Sequence, residues 1–352
     1  MRYAITEKLE LKDRKLGAFN SLSDHTGKGG KRNQMGTFIG HILPGVGFIF
    51  IGLWHLFNVV RSYVETPWNY TSRAWFPTRW NGWRKYMEPL AIMLGSVVSI
   101  SAELFICPAK HQPFADDWSI PDNHLNNFEH STMSLFFFIF GACCLTSDLT
   151  KIHVPRGLLH LMGAFAFSQE LILFHFHSAD HMGLEGHFHW LLQLPIAVGL
   201  VCALIEVAAP KSFVVSFVRA VSILYQGFWF VQMGLTLWIP AFTPRGCFMS
   251  DKDGHKVVRC ESPEDDMRAK ALANLYFSWY LAAILASALC LYVGMMCHKS
   301  KQVQYEPLET NLKIERSLRD VEAQISPTSS NGDGSVTTEE MQGLTAIELR
   351  AR

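Results

Sequence analysis

The chain has 352 residues, with 31 Lys+Arg balanced against 31 Asp+Glu, 49% hydrophobic residues and only 18% charged ones. That balance leaves no basic surplus to recruit nucleic acid. A mean hydropathy of +0.12, in a chain whose two ends are polar, is too high for an ordinary soluble domain, where about 25% of residues are charged.

Residues 1–34 are polar and hold no apolar stretch of signal-peptide type, so the first hydrophobic run, starting at Thr37, is expected to be the first membrane anchor. A hydrocarbon core of about 30 Å needs about 20 mostly apolar helical residues. Runs of that kind fall at 37–60, 85–106, 126–148, 155–177, 187–209, 213–239 and 271–297. The fold class expected is all-α: a polytopic membrane protein built as a seven-transmembrane-helix bundle. The domain plan is a polar N-terminal extension (1–34), the membrane domain (35–298) and a disordered cytosolic tail (299–352).

Orientation follows from Lys and Arg in the short loops. Arg61, Arg73, Arg79, Arg84 and Lys85 follow the first run, Lys151 and Arg156 the third, Lys211 the fifth, and Lys299 and Lys301 the seventh. The opposite loops carry Lys110, then no Lys or Arg around Ser178–Gly186, then a mixed-charge segment. This places the N-terminus outside or in a lumen and the C-terminus in the cytosol, although Lys28, Lys31 and Arg32 pull the other way. The sequon Asn69-Tyr70-Thr71 then stays unglycosylated on the cytosolic side. Cys247 and Cys260 share a lumenal loop where a disulfide is favoured. Cys143, Cys144, Cys202 and Cys290 lie in apolar runs as small buried hydrophobes.

The tail from Gln302 is too polar to bury a core of its own. Within it, Tyr305-Glu-Pro-Leu308 has the form of a sorting signal, with the solvated tail as the alternative.

Ionisable groups at membrane depth are costly and point to function. Because consecutive helices run in opposite directions, His41, Glu103, Glu129, His130, Glu170, His175, His177, His187 and His189 all land in one half of the membrane. Imidazoles and carboxylates that converge from several helices are the material of a metal site. Glu103, His130, His177 and His189 form the candidate ligand set, zinc the best-matched ion, and iron or manganese the alternatives. Glu170 would act as general base on a metal-bound water, and Ser131 would help position substrate. In the competing reading the same groups pair across helices as structural glue. Glu206, His55 and His160 read as local pairs or interfacial groups, and Gln226 and Gln232 as interhelical hydrogen bonders.

Several motifs resemble the transmembrane protein 45 family. They are Met35-Gly-Thr-Phe-Ile-Gly-His-Ile-Leu-Pro-Gly45, Glu129-His-Ser-Thr-Met133, Glu170 with His175-Phe-His177, Leu184-Glu-Gly-His-Phe-His189, Leu204-Ile-Glu206 and Gln226-Gly-Phe-Trp-Phe-Val-Gln-Met-Gly234. The resemblance covers about residues 35–297 and implies a seven-helix protein of the plasma membrane or of Golgi, endosomal or lysosomal membranes. Residues 1–34 and a long loop around Cys247 and Cys260 depart from the family pattern.

Two functions compete. One is a metal-dependent hydrolase acting on a lipid-like substrate that enters sideways from the bilayer. The other is a non-enzymatic trafficking or interaction protein, with a sorting adaptor at Tyr305–Leu308 and a homodimer as the partners it admits. A transporter ranks below both, because the second membrane half offers only Gln226, Glu206 and His55. A G-protein-coupled receptor is excluded by the absence of its Asp-Arg-Tyr and Asn-Pro-x-x-Tyr signatures.

Overall fold

The computed structural model describes residues 32–106, 113–121, 124–150, 152, 154–155, 157–180, 183–252 and 255–325, with the backbone alone at 32–37, 177–180, 251–252, 255–256, 302–312, 314 and 321–325. Seven helices in it are long and apolar enough to cross a membrane. They are α1 (Arg32–Glu65), α2 (Met87–Ser101, the α-helical part of a continuous helical span Gly82–Ile106), α3 (Leu125–Leu149), α4 (Leu158–Asp180), α5 (Leu184–Ala208), α6 (Phe213–Trp238) and α7 (Pro263–Ile325). A π-helical turn, Ala102–Ile106, extends α2, and a two-stranded antiparallel hairpin, β1 (Cys247–Lys252) with β2 (His255–Cys260), precedes α7. The expected boundaries hold to within about five residues, except that α7 begins eight residues before 271 and its helix continues past 297 to Ile325. Ser262 explains the early start. Its hydroxyl accepts from the Asp265 amide at 3.1 Å and donates to the Asp265 carboxylate at 2.8 Å, a reciprocal cap with Pro263 in the first turn.

The chain divides into two compact units, Met1–Cys297 and His298–Arg352. In the second unit the polar segment is helical as far as Ile325. Helix hydrogen bonds are local and need no core, and the exposed Arg319–Glu315 pair at i,i+4 adds to them. The side chains of Tyr305–Leu308 lie outside the described residues, as do residues 1–31.

Within the membrane unit, helices pack in the order α2, α3, α4, α5, α6, α1, and α1 and α2 scarcely touch. The six therefore make a ring that is open along one side. The α1/α6 seam is the tightest. Small residues two turns apart, Gly45 and Gly52 on α1 against Gly227 and Gly234 on α6, bring the two backbones together. A Cβ at Gly52 would lie 2.5 Å from the backbone of Leu224, and one at Gly227 would lie 2.5 Å from the Ile49 amide. Helix α7 stands further off and reaches α6 through aromatic rings. Phe277 sits 4.7 Å from Tyr225 and 4.9 Å from Trp229, centre to centre, and the Tyr225 hydroxyl donates to the Phe277 carbonyl at 2.6 Å.

The β-hairpin pairs Cys247 with Cys260 in register, and a disulfide joins them. It sits at one end of the bundle, called the hairpin end below. The segment 66–86 lies at the opposite, loop end.

Because the α1/α6 seam has no room for a side chain, Gly52→Val should destabilise the protein by about 1–3 kcal/mol through overpacking. Thermal unfolding in detergent, followed by size-exclusion chromatography, measures this, and an unchanged melting temperature would contradict the packing described.

Candidate functional site

The hairpin-end groups share a depth but divide into separate interhelical bridges. Glu103, in the π-turn after α2, accepts from Asn127 Nδ2 at 2.7 Å and lies 3.3 Å from His130 Nδ1, which ties α2 to α3. His175 Nδ1 meets Gln193 Oε1 at 3.1 Å between α4 and α5. His187 Nε2 meets Asn274 Oδ1 at 2.8 Å between α5 and α7. His41 packs its ring 4.4 Å from Trp238 and 5.9 Å from His189, whose Nδ1 bonds the Glu185 carbonyl at 3.0 Å.

Glu170 is 2% exposed and takes a hydrogen bond from Gln226 Nε2 at 3.3 Å, between α4 and α6. Ser131 is buried without a hydrogen bond to its Oγ, and Glu129 beside it is half-buried. The side chain of His177 lies outside the described residues. Among the described residues no group of three or more His, Cys, Asp or Glu side chains is arranged to hold a metal ion.

The loop end holds a network that includes His55, His160 and Glu206, which from sequence read as local pairs or interfacial groups. His55 of α1 and Glu88 of α2 are joined at 2.7 Å, with each side chain almost wholly buried. The second oxygen of Glu88 accepts from Trp54 Nε1 at 2.9 Å and from the Phe76 amide at 2.8 Å. Arg219 of α6 donates from Nε to Glu206 Oε2 of α5 at 2.6 Å and from Nη2 to the Arg73 carbonyl at 2.8 Å, and its Nη1 lies 3.2 Å from His55 Nδ1. Ser216 donates to Glu206 Oε1 at 2.6 Å, and His160 of α4 brings Nε2 to 3.8 Å from Glu206 Oε2. Two carboxylates, one guanidinium and two imidazoles from five helices thus meet out of water. Burying ions at this depth is tolerable because both oxygens of each carboxylate and all three guanidinium nitrogens have a polar partner.

The network also holds the loop. Glu88 fixes the Phe76 amide, Arg219 fixes the Arg73 carbonyl, and the Ser72 amide bonds the Pro210 carbonyl at 2.6 Å. Tyr70, in the same loop, packs with Val59 and Phe76. Burial pushes its hydroxyl up to about 12, with the charge of Glu206 adding to the rise and Ser216 and Arg219 opposing it.

A cavity of about 1140 Å³ fills the open ring. Its wall is mainly apolar, with Ser96, Ser99 and Ser134 among the lining residues. Glu103 stands at the hairpin end, and His55, His160, Glu206 and Arg219 stand at the loop end, where Ala74 of the loop also lines the cavity. Of the residues singled out from sequence for catalysis or metal binding, Glu103 alone among the described residues lines it. Along the gap between α1 and α2 the cavity is bounded by Leu43, Phe50, Leu94 and Val98, each of them exposed. The cavity therefore opens toward the bilayer at that seam.

Two predictions test this description. Arg219→Leu leaves Glu206 buried without its cation, which should cost about 3–5 kcal/mol, whereas the half-exposed His130→Ala should cost no more than about 1 kcal/mol. Comparable losses in thermal unfolding would contradict the assignment of the loop-end network as the principal ionic lock.

The second concerns pH. A hydroxyl whose value is raised on folding contributes stability that is complete below pH 10 and declines as pH climbs toward about 12. Tyr70→Phe should remove a decline on the order of 2–3 kcal/mol in that window. An identical alkaline profile for the variant would contradict the burial of Tyr70.

Comparison with known proteins finds two kinds of similarity. Residues 156–293, from α4 into α7, match a family described as "Family of unknown function (DUF716)". The chain is 23% identical over 270 residues to Transmembrane epididymal protein 1A of Mus musculus, a stretch covering 73% of this chain and 79% of that protein. It is 23% identical over 271 residues to Transmembrane epididymal protein 1 of Rattus norvegicus, with the same coverage of 73% and 79%.

Proposed function

We propose that this seven-helix membrane protein binds a single lipid-like amphiphile, which enters from the bilayer between α1 and α2 and lies in the cavity of the helix ring. One observation carries the reading: the ring is open where α1 and α2 scarcely touch, and the space behind that opening is large and apolar. At about 1140 Å³ it exceeds the roughly 300–1,000 Å³ that holds a drug-sized ligand. A chain or ring system in it would exchange contact with lipid tails for contact with Leu43, Phe50, Ile92, Phe137 and Phe140, at little cost in either direction. That near-neutrality suits a protein that takes up, presents or transfers a lipid. Residues of the earlier hydrolase scheme, Glu170 and Ser131, lie outside the cavity wall, so the reading is one of binding.

Gly47 on α1 and Gly95 on α2 both line the cavity, and a Cβ at either would meet no atom within 4 Å. Gly47→Phe and Gly95→Phe should therefore fit without strain and block the cavity. Lipid carried through purification in a mild detergent, quantified by mass spectrometry, should fall at least several-fold in each variant. Thermal stability should hold or rise, because glycine in a helix interior is unfavourable. Undiminished lipid in both variants would contradict the proposal.

A further inference from the structure

We infer that the tip of the loop at residues 78–85 binds an anionic phospholipid of the leaflet it faces, with Arg79 and Arg84 on the phosphate-bearing head group and Trp80 and Trp83 seated between the lipids. The inference is independent of the cavity. The tip reads Thr-Arg-Trp-Asn-Gly-Trp-Arg-Lys, so that an Arg-Trp pair is mirrored by a Trp-Arg pair across Asn81-Gly82. Gly82 takes φ +69°, a left-handed conformation that reverses the chain at little cost. The Thr78 amide donates to the Lys85 carbonyl at 3.1 Å, and the Thr78 hydroxyl donates to the Arg84 carbonyl at 2.6 Å, which closes the tip into a ring. Its base is fixed to α3, because Lys85 and the Tyr86 hydroxyl, the latter at 2.8 Å, share the Asp148 carboxylate.

The tip displays its charged and aromatic side chains. Trp80 is 58% exposed, Trp83 67% and the Arg79 side chain 76%, and Arg84 is exposed as well. The same loop buries Tyr70, Trp75 and Phe76, so its aromatic residues divide into an anchored set and a displayed set. Displayed indoles suit the glycerol level of a bilayer, where the ring is buried and the N–H stays wet. The helical span that contains α2 starts at Gly82, which puts the tip at the end of a membrane crossing. An aromatic belt alone requires tryptophan at that level and no more. Here the Arg84 guanidinium carbon lies 5.9 Å from the centre of the Trp80 ring and 6.0 Å from that of Trp83. Two rings at this range orient the guanidinium fork and leave N–H groups for a phosphate.

Charge selects the anionic lipids. Residues 61–85 carry Arg61, Arg73, Arg79, Arg84 and Lys85 against one acid, Glu65. Glu65 is held by Arg61 at 2.7 Å and reached by Arg79 at 3.8 Å, and Lys85 is taken by Asp148. With both acids counted, cations remain in excess. A phosphatidylcholine head brings its own ammonium and leaves that excess unanswered, whereas a phospholipid of net negative charge answers it. On the orientation expected from the loop charges, this end faces the cytoplasmic leaflet, the one rich in such lipids.

The test uses the full-length protein in phosphatidylcholine nanodiscs that contain a minor share of phosphatidylserine. In separate samples one lipid or the other carries a diazirine beside its glycerol, and peptide mass spectrometry maps the adducts. Mole for mole, phosphatidylserine should label the tip at least about fivefold more than phosphatidylcholine, the worth of one arginine beside an anionic surface. The excess should shrink as salt rises. It should fall in Arg84→Gln and vanish in Arg79→Gln/Arg84→Gln, while Arg84→Lys, which keeps the charge and loses the planar fork, should retain part of it. Trp80→Ala/Trp83→Ala should lower tip labelling by both lipids. All four variants should match the wild type in thermal unfolding, because the substituted side chains are exposed. Equal labelling by the two lipids, an excess retained in Arg79→Gln/Arg84→Gln, or an excess abolished by soluble glycerophosphoserine, which would mark a site for a free anion, would overturn the inference.

Discussion

A guanidinium enclosed by helices has to be answered on all sides, and the answer given to Arg219 sets the loop end of this bundle. Its three nitrogens reach α5 through Glu206, α1 through His55 and the 66–86 segment through the Arg73 carbonyl. His55 then passes the connection to α2 through Glu88, whose other oxygen holds the Phe76 amide. One ionic lock therefore positions four helices and pins a loop beneath them. A connected set of this kind is worth having only complete, since a half-satisfied one leaves a bare charge in an apolar medium.

The lock also accounts for the opening. Helix α2 is held at its loop end by Glu88 and along its length by α3, where Gly141 fits against the Pro89 carbonyl and Met93. Helix α1 is held by the glycine seam with α6. Each helix has a strong partner on its far side, and among the described residues α1 and α2 are joined by hydrogen bonds at one end, from His55 and Trp54 to Glu88. The space between them is closed at that end and open above it. A cavity with one polar end and a mouth onto the bilayer follows from the distribution of tight and loose seams, and the proposed amphiphile binding rests on that cavity.

Much of the fold is legible in the sequence because apolar run length is a direct measure of membrane crossing, and no tertiary contact alters it. The start of α7 was legible too, in Ser262-Pro263-Glu264-Asp265, but a search by hydrophobicity alone begins at the apolar residues that follow. Depth is equally readable, since helix direction alternates, and the hairpin-end His and Glu residues do share one level. What depth leaves open is azimuth. His41 turns toward α5 and α6, Glu103 toward α3, and Glu170 toward α6, so residues at one level serve different seams. The loop-end network was accessible to the same depth argument, because His55, Glu88, His160, Glu206 and Arg219 come from five helices at one level. Arg219 lies just beyond the loop that carries Lys211, and the rule that orients loops counts cations near helix ends without asking whether they face inward. The cavity has no sequence signature, because it is made by two helices that fail to pack.

The most direct measurement is an electron cryomicroscopy map of the protein in lipid nanodiscs. The account predicts an elongated density that belongs to no protein atom, entering between α1 and α2 and lying in the cavity of the helix ring, with Arg219 still joined to Glu206, His55 and the 66–86 loop. A map in which α1 closes against α2 along its length, leaving no cavity and no such density, would contradict it.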